Sequence, residues 1–117
     1  MKTHPWIAAD THFLLTQWAR WSRQHEHDLG YPSATPFRRL LGSSVPAPGI
    51  DDAVALRVDA ALSRLQQRYP ERAEAVSRYY LGAGQVAQVA EQMGVYRAKA
   101  EAWVQSGLAW LDAVLHH

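Results

Sequence analysis

The stretch LGYPSATPFRRLLGSSVPAPG, residues 29–49, sets the first limit on the fold, because it packs four prolines and three glycines into 21 positions. Proline removes a backbone donor and biases the residue before it towards extended conformations, so most of this segment is excluded from helix. Its centre is the exception. Thr35 suits an N-cap, Pro36 the first helical position and Gly42 a left-handed position past a helix end, so residues 37–41 read as one short helical turn. That turn presents Arg38 and Arg39 beside Phe37, Leu40 and Leu41, a small apolar body with a doubly charged corner. Connections of this length and composition are uncommon inside compact domains and tend to be functional or mobile.

On either side the hydrophobic pattern is helical. A first helix is expected over residues 10–28, capped by Asp10 or Thr11, with Leu14, Trp18 and Trp21 at i, i+4 and i+7 and Gly30 just past its end. From residue 51 a second helix begins with Asp51 as cap and Asp52 against the helix dipole. Val54, Val58, Ala61, Leu62, Leu65 and Tyr69 form its apolar stripe, and Arg57, Arg64 and Arg68 a solvated face. Pro70 separates it from a third helix that stops at Gly82. A short helix over residues 85–93, a turn at Gly94 and a long helix over residues 97–115, about 28 Å at 1.5 Å per residue, complete the chain. There is no strand signal and no internal repeat. The expectation is an all-α fold: residues 1–49 supply a helix and the Pro/Gly-rich basic segment, residues 50–117 a helical body, and the two form one compact unit.

Composition narrows the function classes. The chain has 117 residues, 48% apolar and 20% charged, which is globular rather than disordered and is sized for one domain. With no cysteine there is no disulfide framework and no thiolate zinc site. No signal-peptide core or membrane-spanning run is present, so a cytoplasmic protein without a membrane partner is expected. His25 and His27 are two apart and His116 and His117 adjacent, neither of which is helical metal-ligand spacing; no metal and no cofactor are expected. Enzyme chemistry is not expected either: carboxylates lie at helix starts or on polar faces, and neither a nucleophile elbow nor a phosphate-cradling glycine motif occurs.

The segment AQVAEQMGVYRAKAEAWV, residues 87–104, has the spacing of a helix-turn-helix. Two helices meet at a steep angle only where the crossing position is small and the turn accepts a left-handed residue, and Ala90 and Gly94 meet those needs. Val89, Met93, Val95, Ala100 and Trp103 are the inward positions, and all are apolar. The outward positions of the second helix offer little. Arg97 can read a guanine and Lys99 can take a phosphate, with Tyr96 beside them and Gln85 at the start of the shorter helix, while Ala98 and Ala102 offer nothing polar. Residues 82–117 carry only Arg97 and Lys99 against Glu91, Glu101 and Asp112, so the expected DNA reader is the least basic part of the chain. A lone copy should bind short DNA sites weakly.

The combination WARWSR, then LGYPSATPFRRLLG, then an amphipathic helix and YYLGAGQVAQVAEQMGVYRAKAEAWVQSGLAWLDAVL resembles the Q-type transcription antitermination proteins of lambda-like phages and their prophage relatives, in the branch without a zinc motif. The resemblance spans residues 18–115; its specific element is GYPSATPF, residues 30–37, and the C-terminal portion is also similar to region 4 of bacterial primary sigma factors. The resemblance implies a factor that binds double-stranded DNA near a promoter, loads onto paused bacterial RNA polymerase with sigma still attached, and narrows the RNA exit channel so that terminators are read through. It implies DNA recognition by the helix-turn-helix through Arg97 and Lys99, with Tyr96 and Gln85 as further candidate DNA-binding residues. We assign the segment at residues 30–42, with Arg38 and Arg39, to contact with polymerase or nascent RNA, with Phe37, Tyr31, Arg20 and Arg23 as further candidates, and there is room for a second copy of the chain. Two other readings stay open: a helix-turn-helix regulator acting at initiation as a dimer, and a helical module that binds only protein.

Overall fold

The computed structural model describes residues 7–28 and 49–116, which form five helices and no strand. We label them α1 (Ala9–Asp28), α2 (Asp52–Arg68), α3 (Pro70–Leu81), α4 (Val86–Met93) and α5 (Arg97–Leu115). The all-α expectation holds, and element ends fall within about one residue of the expected ones. The short turn expected at residues 37–41, and the candidates Tyr31, Phe37, Arg38 and Arg39, lie outside the described residues.

Each boundary has a local cause. The Asp51 carboxylate accepts from Val54 N at 2.9 Å and caps α2. Pro70 opens α3 and keeps Tyr69, the residue before it, out of helical conformation at φ −140° and ψ 77°. Tyr69 therefore leaves the apolar stripe of α2 on which the periodicity had put it. Its ring turns outward under the Arg72 guanidinium, 4.2 Å from the ring centroid. Gly94 ends α4 at φ +67°; its N–H reaches the carbonyls of Ala90 and Glu91, and Val95 N donates to Ala90 O at 3.0 Å. This six-to-one closure is the reason for glycine at that position, since a side chain there would be strained.

The buried stripe of α1 is rotated from the expected one. Thr11, Leu15, Trp18 and Ala19 face the core, with Leu14 and Trp21 half-buried at its edges. Thr11 is a buried polar residue rather than a cap. Its hydroxyl donates to Asp112 Oδ1 and accepts from His116 Nε2 at 2.6 Å, tying the start of α1 to the end of α5. The indole of Trp18 donates to Asp59 Oδ1 at 3.3 Å and that of Trp21 to Asp52 Oδ1 at 2.9 Å, which fastens α1 along α2. Gln17, also buried, accepts from Gly49 N at 2.6 Å where the chain returns to α2.

One apolar cluster runs through all five helices, with α5 as its long member. Ala100, Val104, Gly107, Leu108, Leu111 and Leu115 make the buried stripe of α5, and its most extensive contact is with α3. At Gly107 the two helices are packed tightly together. A Cβ at Gly107 would stand 2.6 Å from Val76 Cγ2, 3.2 Å from the Arg72 carbonyl oxygen and 3.5 Å from Leu65 Cδ2. Of the inward positions expected around the α4–α5 turn, Val89 and Ala100 are buried, while Met93, Val95 and Trp103 pack half-buried against the cluster and Val104 takes the central place.

On the other side of α3, the Tyr80 hydroxyl and His12 Nδ1 share a hydrogen bond of 3.0 Å. Burial lowers the His12 pKa, and burial together with the neighbouring Tyr79 phenol raises that of Tyr80. Neutral His12 is thus the folded form, and a proton on it is better solvated in the unfolded chain.

Gly107→Ala should lower stability, measured as a urea midpoint, by about 1 kcal/mol net. Overpacking at about 1 to 3 kcal/mol outweighs the roughly 1 kcal/mol that alanine gains over glycine in a free helix. A raised midpoint would remove the close approach from the account. His12 should contribute stability that is complete above about pH 6.5 and lost as pH falls through its depressed folded pKa. The check is the Tm difference between wild type and His12→Gln, which should move in favour of the variant between pH 7 and pH 5; a difference independent of pH would contradict it.

Candidate nucleic-acid interface

Helix α4, the turn at residues 94–96 and α5 present one polar face at the start of α5. Tyr96 precedes the helix in extended conformation and is 89% exposed, far more than any other large apolar side chain described. Arg97, Ala98, Lys99 and Ala102 are exposed beside it, and Glu101 is half-buried. Lys99 Nζ lies 5.4 Å from the ring centroid of Trp103, which holds the ammonium over the first turn. No acidic residue lies in that turn. Anions are therefore favoured at this end of α5, by two cationic side chains and by the helix dipole together. What the face lacks is a set of hydrogen-bonding side chains able to read several base pairs.

Gln85 stands apart from these three. It is the exposed N-cap of α4 and makes no side-chain capping bond. The helix between them puts it about 13 to 14 Å from Gly94 along the axis.

Arg20 and Arg23 come from α1, sixty residues earlier in the chain, and line a cavity with His12, Thr16, Tyr79, Tyr80 and the loop at residues 82–84 that leads into Gln85. The fold therefore puts these two arginines next to the entry of α4 rather than on a separate N-terminal surface. Arg23 has a further task. Its Nη2 donates to Tyr80 O at 3.3 Å and to Leu81 O at 2.6 Å, satisfying carbonyls that the end of α3 leaves open. The loop itself is closed internally: Gly82 N donates to Arg78 O, Gly84 N to Tyr79 O, and Ala83 N to Gln88 Oε1. Gly84, at φ +69°, makes the left-handed turn.

Sequence reasoning did not find a second arginine used in this way. Arg57, on the row with Arg64 and Arg68, donates from Nη2 to Leu115 O at 2.6 Å and closes the end of α5 against α2, whereas Arg64 and Arg68 stay exposed. Its position off the apolar stripe was the available signal, but nothing local distinguishes a guanidinium that meets a distant helix end from one in solvent. Among the described residues there is no cluster of three or more His, Cys, Asp or Glu able to hold a metal ion, and no helix is long and apolar enough to cross a membrane.

The family model described as phage antitermination protein Q matches residues 8–117. No curated protein and no solved structure matches the chain. The match takes in every helix from α1 to α5 and leaves out residues 1–7 alone, so the chain belongs to the phage antitermination protein Q family.

Proposed function

We infer that this chain is a transcription antitermination factor that is loaded at a promoter by a weak helix-turn-helix and then works as part of the transcribing polymerase. The observation that carries the reading is the family match over residues 8–117. The α4–turn–α5 unit supports it by its geometry: a left-handed glycine closes the first helix, and the first turn of the second is exposed and cationic. In this proposal Arg97 reads a base edge in the major groove, Lys99 and Tyr96 flank it, and Gln85 meets the phosphate strand at the far end of α4. Two to four such contacts give a short, weakly held site. That is sufficient when sigma-bound RNA polymerase, paused near the promoter, supplies the remaining affinity, because linked weak contacts multiply.

The second half of the proposal concerns residues 1–49, taken as an N-terminal helix followed by a basic segment, against a body formed by residues 50–117. Tyr31, Phe37, Arg38 and Arg39 contact polymerase or the nascent transcript and help to narrow the RNA exit channel, so that terminator hairpins do not form there. A dimeric regulator of initiation is the competing reading. It requires two half-sites about one helical turn apart and no effect on a downstream terminator.

Transcription in vitro with bacterial RNA polymerase, over a template with a terminator downstream of the candidate promoter, separates these readings. Added protein should raise terminator readthrough. Arg97→Ala should weaken binding to the promoter-proximal duplex by about 1 to 3 kcal/mol and relax its sequence preference. Arg38→Ala combined with Arg39→Ala should leave that binding intact and reduce readthrough. A double variant that loses DNA binding and keeps readthrough would overturn the division of labour, and unchanged readthrough with the wild-type protein would overturn the proposal as a whole.

A further inference from the structure

The cavity between α1 and the loop at residues 82–84 has a charge that the fold itself does not use. Arg23 is held in place by the two carbonyls at the end of α3, which leaves Nε and Nη1 of its guanidinium for another acceptor. Arg20, half-buried one helical turn away, makes no hydrogen bond or ion pair with any described residue. Among the described residues, no carboxylate lines the cavity. Two arginines thus line one concavity of about 360 Å³, room for roughly a dozen waters, with no acidic side chain beside them among the described residues. Thr16 and Tyr79 add polar wall, and the glycines at 82 and 84 keep the floor low. Forked, planar donors lining one concavity suit a tetrahedral anion with several acceptor oxygens, and a phosphodiester is the anion of that shape in a polymer.

The loop that floors the cavity leads directly into α4, which says which polymer. With the first turn of α5 at the base edges, the N-terminal end of α4, about 12 Å away along its axis, falls at the edge of a major groove about 12 Å wide. We propose that the Arg20–Arg23 cavity is a phosphate clamp for the DNA backbone, seated on the strand that borders the groove entered by α5. This rests on the reading of α4 and α5 as a DNA-binding unit, and it moves Arg20 and Arg23 from the polymerase- or RNA-facing group to the DNA-facing one. The clamp carries no sequence information. It fixes register and supplies affinity that the sparse face of α5 lacks.

Arg20→Ala is the informative variant, since Arg23 also closes α3. Binding of the full-length protein to a promoter-proximal duplex and to a scrambled duplex of the same length is measured across 50 to 200 mM salt, with thermal melts to establish that the variant is folded. Arg20→Ala should weaken both duplexes to a similar extent, several-fold at low salt, and should reduce the slope of log K against log salt by about 0.9, the signature of one lost phosphate contact. Arg20→Lys should recover most of that slope. A folded Arg20→Ala protein with an unchanged slope, while the wild type binds duplex and Arg97→Ala still loses sequence preference, overturns the clamp and leaves the α5 reading standing. A wild-type protein that binds neither duplex at 50 mM salt overturns both.

Discussion

Everything that α5 presents to a partner depends on how closely it lies against α3. The approach is possible because Gly107 has no side chain: Val76 and the carbonyl of Arg72 occupy the space that a Cβ would take. With the crossing fixed there, Ala100, Val104, Leu108 and Leu111 fall on one side of the helix and seal the core shared by all five helices. Its two ends are then used differently. The far end is tied down, by Thr11 to Asp112 and His116 and by Arg57 to the carbonyl of Leu115. At the near end Ala100 is buried in the core, while Arg97 and Lys99 project to solvent from the first turn of the helix and Tyr96 from the turn just before it.

Rigidity with few charges has a consequence for binding. A preorganised face loses little entropy on docking, but two cations and one exposed ring cannot hold a DNA site strongly at physiological salt. The clamp proposed at Arg20 and Arg23 would add backbone affinity without adding discrimination. Both features fit a factor whose promoter choice is shared with polymerase, and both are poorly suited to a repressor that must find its operator alone. Membership of the antitermination protein Q family points the same way.

The helices were legible in the sequence because their signals are local. Asp51, Pro70 and Gly94 act within four residues of where they stand, and each apolar stripe has the helical period. The rotation of α1 was not legible. Thr11 and Gln17 are buried polar residues whose partners, Asp112, His116 and Gly49, come from elsewhere in the chain, and a hydrophobic pattern counts such residues as surface. Tyr69 misled for the opposite reason, since its stripe position was right and the backbone before Pro70 was not helical. At the candidate interface, turn spacing was enough to place Tyr96, Arg97 and Lys99 together. The meeting of Arg20 and Arg23 with the loop at residues 82–84 required the packing of α1 on α3, which no window of sequence contains.

The central claim is that DNA recognition by this chain is weak alone and completed by polymerase. Its most direct measurement is the affinity of the full-length protein for a promoter-proximal DNA fragment, determined with and without sigma-bound RNA polymerase paused on that fragment. The account predicts weak binding to free DNA and a gain of about 10² to 10⁴ when the paused polymerase is present. Tight binding to a symmetric pair of half-sites, with an affinity that polymerase leaves unchanged, would contradict it.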